Sequence, residues 1–278
     1  MRWLPLTLVL LVGCDAPVPY ESAPVVTARR PTLEQWTGPT GTLAGQVRWM
    51  GPRIEPTMVE TYRPAPGGRA DRVSRAAPNL PVIDPAAGGV AGAIVYLRGV
   101  SATARPWDHP PVALELNDAW PMIKQGDGPP RTVGLAQRGD SITITSWQSV
   151  FHAVRARGAA FWTFMLPDAD KPLTRRLDQP GIVELSSAAG YYWMHAYLLV
   201  CDHPYCAITD AAGRFEIPRT PAGDYELMAW LPSWDVIRRE RDPESTAVTR
   251  IVFGPHHEWR RFVSVKPGES AGVEVRVP

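Results

Sequence analysis

Cysteine is scarce in this chain, which has three in 278 residues, at positions 14, 201 and 206. A disulfide-rich secreted scaffold is therefore excluded, and a chain of this length can bury a hydrophobic core without such cross-links. An excess of charge of one sign is also absent, since 29 basic residues are balanced by 28 acidic ones. We expect no nucleic-acid partner, because proteins that bind nucleic acids carry a basic excess.

Motifs in a setting that suits known catalytic chemistry are also missing. The sequence contains no His-Glu-x-x-His, the pattern that marks a catalytic zinc site. One Gly-x-Ser-x-Gly occurs at 268–272, but a predicted strand follows it, whereas the motif of a nucleophilic serine leads from a strand into a helix. Acidic pairs such as Asp168 and Asp170 lie in predicted loops without an evident partner. The sequence therefore predicts a protein that is not an enzyme.

The N-terminus has the features of a targeting segment. A positive start at Met1 and Arg2 precedes the short apolar run 3–12, which is too short to span a bilayer. The run ends Leu-Val-Gly-Cys14 and resembles the lipobox of bacterial lipoproteins. The resemblance implies that residues 1–13 are a signal peptide and that Cys14 carries the lipid. The chain would then be a membrane-anchored lipoprotein of the cell envelope, facing the periplasm or the cell surface. The alternative is an ordinary signal peptide with a chance cysteine.

The rest of the sequence predicts strands and turns. Thirty prolines and 23 glycines are typical of an all-β protein with many turns. We read residues 14–40 as a tether, 52–88 as a long surface loop, and 236–244 as a loop or one helical turn. Alternating or continuous apolar runs predict strands at 41–50, 92–97, 112–116, 132–136, 141–145, 152–154, 161–165, 181–185, 197–201, 206–210, 214–217, 225–230, 246–253, 260–265 and 272–277.

One set of motifs resembles the carboxypeptidase regulatory-like domain. The segments are Gly-Thr-Leu-Ala-Gly-Gln-Val from Gly41, Thr-Asp-Ala-Ala-Gly-Arg-Phe from Thr209, and Pro-Ala-Gly-Asp-Tyr from Pro221. This resemblance implies a transthyretin-like β-sandwich without catalytic activity, to which we assign residues 201–278.

A second set is similar to plastocyanin-type cupredoxins fused to such a module in bacterial envelope proteins. It comprises Gly-Asp-Ser-Ile-Thr-Ile-Thr from Gly139, Phe-His-Ala-Val from Phe151, Trp193-Met194, and Asp-His-Pro-Tyr from Asp202. The resemblance implies a cupredoxin-like Greek-key sandwich, to which we assign residues 41–200 with long loops.

The copper ligands of that family are mostly replaced here. The family's ligand histidine falls on Tyr191 and its ligand cysteine on Ala188, whereas a blue-copper site needs a thiolate and two imidazoles with a weak axial Met. His152 and Met194 remain as candidates, and His195 is a third ligand for a degenerate Cu(I) site. We therefore expect no cofactor, with copper as the alternative.

Cys201 and Cys206 flank the loop 202–205 and allow three interpretations. If the flanking strands form a hairpin, a cross-strand disulfide is possible. The two thiols are otherwise small core side chains, or ligands of a metal together with His203 and residues from elsewhere. His109, between Asp108 and Pro110, is predicted to lie at the surface.

Aromatic residues offer a candidate binding surface. Of the 11 tryptophans, Trp234 and Trp259 are predicted to lie in loops and to be exposed, where they suit a sugar ring or an apolar partner. His256 and His257 follow Gly-Pro and are read as solvated loop residues. The sequence thus predicts a binding or structural role with an unidentified envelope protein or glycan, the alternatives being copper-binding electron transfer and carbohydrate binding.

Overall fold

In the computed structural model, every regular element of the described residues is a β-strand. The structure describes residues 32–65, 69–117, 120–244, 246 and 248–277, with only the backbone given for 63–65 and 69–70. The strands, in chain order, are β1 (Glu34–Gln35), β2 (Thr40–Trp49), β3 (Met58–Ala65), β4 (Arg69–Ala76), β5 (Val82–Ile83), β6 (Val90–Ala91), β7 (Ile94–Arg98), β8 (Ala102–Thr103), β9 (Val112–Asn117), β10 (Trp120–Gln125), β11 (Val133–Gln137), β12 (Ser141–Ser146), β13 (His152–Gly158), β14 (Trp162–Leu166), β15 (Leu173–Arg176), β16 (Gly181–Ser187), β17 (His195–Cys201), β18 (Cys206–Ile208), β19 (Arg214–Pro221), β20 (Gly223–Leu231), β21 (Val236–Arg241), β22 (Val248–Phe253), β23 (His257–Val265) and β24 (Ser270–Val277). The predicted all-β class is confirmed.

One sandwich, which we call the framework sandwich, combines strands from both ends of the described chain. Its sheets have the strand orders β18-β7-β20-β23 and β19-β2-β24. Alternate residues of these strands point inward, as the period of two requires. They form a core that includes Leu43, Val47, Val95, Leu97, Phe215, Ile217, Leu227, Ala229, Val263, Val275 and Val277.

The second sandwich, the inserted sandwich, is built from β9 to β17. Its sheets have the orders β10-β9-β12-β15 and β11-β17-β16-β13-β14. Both sheets are mixed, because β9 pairs in parallel with β12 and β11 pairs in parallel with β17. Its core includes Leu114, Leu116, Ile142, Ile144, Val154, Ala156, Val183, Leu185, Trp193, Met194, Leu198 and Val200.

The inserted sandwich lies between two neighbouring strands of the framework sandwich. Strands β7 and β18 pair antiparallel, with Ile94 opposite Ile208, and everything from β8 to β17 follows β7 and precedes β18. The sheets therefore do not follow the predicted domain boundary between residues 200 and 201. Strands β2 and β7, assigned by sequence to 41–200, complete the hydrogen bonding of β19, β24, β18 and β20 instead.

Strand β17 joins the two sandwiches, and each of its seven residues is buried. Ala196, Leu198 and Val200 face the core of the inserted sandwich. Tyr197, Leu199 and Cys201 face the other way, into a third apolar cluster with Ile94, Val133, Leu135, Cys206 and Trp230. Because that cluster draws on both sandwiches, we call it the junction core. Cover on both faces explains why β17 is apolar from Ala196 to Cys201.

Two other predictions are corrected. Much of 52–88, read as a surface loop, is the hairpin of β3 and β4. Residues 236–241, read as a loop or helical turn, form β21, which pairs with β22. The short strand β1 falls within the predicted tether, while the rest of the tether up to residue 31, together with Cys14 and its predicted lipid, lies outside the described residues. In the described part of the chain, no helix is long and apolar enough to cross a membrane.

Candidate functional site

His152 is the first residue of β13 and is completely buried. It shares the inward face of that strand with Val154 and Ala156, two core residues of the inserted sandwich. Neither of its ring nitrogens has a hydrogen-bond partner among the described residues. Burial lowers the pKa of His152, which favours the neutral imidazole. The Tyr191 ring lies against it, with the two centroids 4.9 Å apart.

The other two predicted copper ligands lie close in the chain but differ in environment. Met194 is buried in the core of the inserted sandwich. His195 is engaged at both nitrogens, since Nδ1 lies 3.3 Å from Glu184 Oε1 and Nε2 lies 3.2 Å from the Tyr192 carbonyl oxygen. The neighbouring His195 imidazole lowers the pKa of Glu184. His195 is therefore a partner of Glu184 in this structure.

These residues do not fit a type 1 copper ion. Such a site takes a thiolate, two imidazoles and a weak axial ligand. Tyr191 stands where the resemblance would place the second imidazole, and its ring packs on both His152 and Trp193. Ala188, at the position of the thiolate, donates its backbone N–H to the Ala153 carbonyl. The donors that remain are one imidazole and one thioether.

The two described cysteines lie in a second cluster, at the junction core. Cys201 ends β17 and Cys206 begins β18, and both are free and buried. The hairpin assumed for a cross-strand disulfide does not form, because β17 pairs with β11 and β16 while β18 pairs with β7. A hydrogen bond with Cys206 lowers the pKa of Cys201, with a further contribution from His203, and burial raises the pKa of Cys206.

Two histidines flank these thiols. His203 Nδ1 lies 3.5 Å and its Nε2 3.7 Å from Cys201 Sγ. His109 Nε2 lies 3.6 Å from Cys206 Sγ and 3.3 Å from the Pro204 carbonyl oxygen. His109 was predicted to lie at the surface; it is half-buried, and burial lowers its pKa.

A buried arginine holds the His109 segment against the 202–205 loop. Arg105 donates from Nη2 to the Pro204 carbonyl at 2.7 Å, and its Nη1 pairs with the Asp108 carboxylate. The guanidinium carbon lies 5.5 Å from the centre of the Tyr205 ring. The Tyr205 hydroxyl in turn accepts the backbone N–H of Ala104 at 2.7 Å. The position of His109 therefore depends on contacts made across about one hundred residues.

A cavity of about 390 Å³ opens beside this cluster and is lined in part by Arg105, Asp108, His109 and Cys206. As the side chains stand, no group of three or more His, Cys, Asp or Glu residues in the described ranges is arranged to hold a metal ion. The thiols and imidazoles instead form two sulfur–nitrogen pairs, joined by the contact between Cys201 and Cys206.

The structure places the two tryptophans of the predicted aromatic surface in different settings. Trp234 lies outside the strands, but Trp259 belongs to β23, and both rings are half-buried against the framework core. His257 stacks between them, with ring centroids 4.0 Å from Trp234 and 5.8 Å from Trp259. Trp49 packs edge-on against Trp234. The rings form a stack filled by His257 and do not leave an open platform between the two indoles.

A more exposed apolar surface lies on β14, an edge strand of the five-stranded sheet. Phe164 and Leu166 of β14 point inward, whereas Met165 is 68% exposed and Phe161, next to the strand, is 89% exposed. His152 pairs with Leu166, which places the half-exposed Phe151 beside the end of β14. Sequence reasoning did not identify this patch, because single exposed apolar residues carry no pattern of their own.

No protein-family model and no curated protein matches the chain. The solved structures that overlap it include amicyanin from Paracoccus versutus, at 13% identity over 38% of this chain and 97% of amicyanin, with a TM-score of 0.27. A Cu-containing nitrite reductase from Thermus scotoductus SA-01 overlaps at 12% identity, 37% of this chain and 24% of its own, with a TM-score of 0.26. TM-scores this low describe a partial overlap of strands, so the fold assignment rests on the sheets described above.

Proposed function

We propose that this chain is a non-catalytic binding protein of the cell envelope, anchored to the membrane by a lipid on Cys14. In this proposal a cupredoxin-like sandwich, which has lost its copper ligands, serves as a scaffold. It is carried by a carboxypeptidase regulatory-like sandwich. The motifs around Phe151, Trp193 and Thr209 support the two assignments, and the replacement of copper donors by Tyr191 and Ala188 supports the loss of the metal.

The observation that carries a binding role is the exposed apolar edge at β14. Phe161, Met165 and Phe151 expose 89%, 68% and 51% of their surface. An edge strand also presents unpaired backbone N–H and C=O groups, which folded proteins usually protect with charge, proline or a bulge. Strand β14, with the sequence WTFML, has none of these residues. Such an edge suits an extended segment of a partner protein, which adds a strand and covers the apolar side chains.

The partner is therefore proposed to be a protein and not a glycan. Sugar rings bind to open aromatic faces, and the stack of Trp234, His257 and Trp259 buries such faces against one another. The edge at β14 offers apolar side chains together with backbone hydrogen-bonding groups, which is the chemistry of a peptide strand.

Site-specific photo-crosslinking tests this proposal. We expect a photoreactive amino acid at Met165 of the full chain to give one discrete adduct with a second protein in cells that express the chain. The matched control is Ile237, which is 67% exposed on β21 and is expected to give none. Mass spectrometry of the Met165 adduct then identifies the partner segment.

Two results contradict a docking edge at β14. One is the absence of any adduct at Met165. The other is a set of equal adducts at Met165 and Ile237, which would indicate random collision. An adduct of twice the mass of the chain would identify the partner as a second copy.

The membrane anchor is tested by a single substitution. Two or three acyl chains at ~0.8 kcal/mol per buried methylene hold a protein stably on a bilayer. We expect the native chain to sediment with membranes and the Cys14→Ser variant to be released by washing without detergent. Native protein that washes off as readily as Cys14→Ser would show that no lipid is attached.

A further inference from the structure

We propose that Cys201, Cys206, His109 and His203 bind one zinc ion at the junction of the two sandwiches. This site is separate from the His152 region, and the inference goes beyond the proposed binding role. It rests on four donor side chains that the fold brings together from two distant segments of the chain.

The gathering of these residues is notable for a chain with so few of them. There are three cysteines and six histidines in 278 residues. The two cysteines of the described residues contact each other, and each has an imidazole within 3.7 Å of its sulfur. Two thiolates and two neutral imidazoles are a common ligand set of structural zinc sites.

The observed spacing suits that ion. Zinc–sulfur bonds near 2.3 Å and zinc–nitrogen bonds near 2.0–2.1 Å place a sulfur and a nitrogen about 3.6 Å apart in a tetrahedral shell. The two sulfur–nitrogen distances here are 3.5 Å, from Cys201 to His203, and 3.6 Å, from Cys206 to His109. The metal would replace the two thiol protons, which gives a site of no net charge.

The surroundings resemble a built site. Cys201 and Cys206 are 6% and 1% exposed, so the sulfurs are protected from bulk solvent. The segment that carries His109 is fixed by the buried Arg105 and by the Tyr205 hydroxyl. The adjoining cavity is lined in part by Asp108, His109 and Cys206, so it reaches the Cys206 side of the cluster.

Closing a four-ligand shell requires the imidazoles to turn toward the sulfurs. Both nitrogens of His203 lie near Cys201, at 3.5 and 3.7 Å from its sulfur, so the ring would turn until one of them faces the ion. His109 Nε2 would exchange the Pro204 carbonyl for the metal. A disulfide between Cys201 and Cys206 is the competing state, but it would form no bond with either histidine.

The test is a zinc titration of the full chain with Cys14→Ser, reduced and kept in detergent, against a chromophoric chelator. We expect one equivalent of zinc and protection of two thiols from a thiol reagent. Cobalt in place of zinc is expected to give the thiolate charge-transfer bands of a tetrahedral site. Cys206→Ser is expected to abolish uptake, and His109→Ala or His203→Ala to weaken it about tenfold or more. The control His256→Ala, at an exposed histidine outside the cluster, is expected to change nothing.

The variants with His109 or His203 replaced keep the proposal testable if Cys206→Ser fails to fold. The proposal is overturned if the reduced chain takes up no zinc, or if Cys206→Ser binds it as well as the parent. It is also overturned if protein isolated from its own cells carries a Cys201–Cys206 disulfide. The crosslink at Met165 is independent of these outcomes, because none of the four donors lies on β14.

Discussion

The Trp193→Ala variant is expected to lose about 3–5 kcal/mol of unfolding free energy, the usual cost of removing a buried indole. Trp193 is 2% exposed in the core of the inserted sandwich. Its ring packs edge-on against Tyr191 and Tyr192, at centroid distances of 5.5 and 5.0 Å, and lies 6.2 Å from Tyr62. Alanine leaves a cavity between three aromatic rings that cannot all move to fill it.

The same substitution is expected to release the β3–β4 hairpin. Tyr62 belongs to β3, and the Tyr192 hydroxyl donates to the Glu60 carbonyl of that strand, so the aromatic residues 191–193 hold the hairpin to the inserted sandwich. Trypsin is expected to cleave Trp193→Ala at Arg72 and Arg75 of β4 faster than it cleaves the parent.

Denaturant unfolding and limited proteolysis together check this prediction. The matched control is Trp147→Ala, at a tryptophan that is 51% exposed, with an expected change within about 0.5 kcal/mol. A loss below about 1 kcal/mol for Trp193→Ala, with no change in trypsin cleavage, would contradict the described packing of Trp193.

The second large effect is expected at Arg105, which is 4% exposed. Arg105→Ala removes the donor to the Pro204 carbonyl, the partner of Asp108 and the cation over Tyr205. Hydrogen bonds of charged groups contribute about 1.5–3 kcal/mol each. Because Asp108 is 45% exposed, we discount its ion pair for solvent screening and expect a total loss of about 2–3 kcal/mol.

That loss is expected to appear as reactivity of the thiols. The His109 segment covers Cys206, so its release exposes the sulfur, and 2–3 kcal/mol corresponds to labelling faster by up to roughly 100-fold. The measurement is the rate of modification of Cys201 and Cys206 in the Cys14→Ser background. Arg98→Ala is the control, since its pair with Glu258 at 3.8 Å is largely solvated. Equal labelling rates in both variants would show that Arg105 does not hold the segment closed.

The local patterns of polar and apolar residues predicted the positions of several strands. Alternation at Ser141–Thr145 and Arg214–Ile217 corresponds to β12 and β19, and the apolar run at Tyr197–Cys201 corresponds to β17. Between the strands predicted at 206–210 and 214–217, the Gly213 N–H donates to the Asp210 carbonyl and closes a turn, in which Gly213 has a positive φ of 75° that glycine adopts without steric cost. These features depend on neighbours in the chain, and so the sequence itself contains the information.

Long-range pairing was harder to predict. Strand β7 looks like part of the sandwich that follows it, because it precedes that sandwich in the chain. Its hydrogen bonds are made with β18 and β20, more than one hundred residues later. Likewise, the hairpin expected around residues 202–205 assumed that neighbouring strands pair, as they usually do. The insertion separates them into two sheets.

The sequence by itself determined the all-β class and most strand positions, and it placed neither a thiol nor an imidazole at residues 188 and 191. All of these depend on residue identity and local period. Only the tertiary structure decided which strands share a sheet, that β14 is an exposed edge, and that His109 meets Cys206 across 97 residues. Such contacts arise when separate apolar surfaces are buried against one another. The local sequence pattern does not specify which of these surfaces pack together.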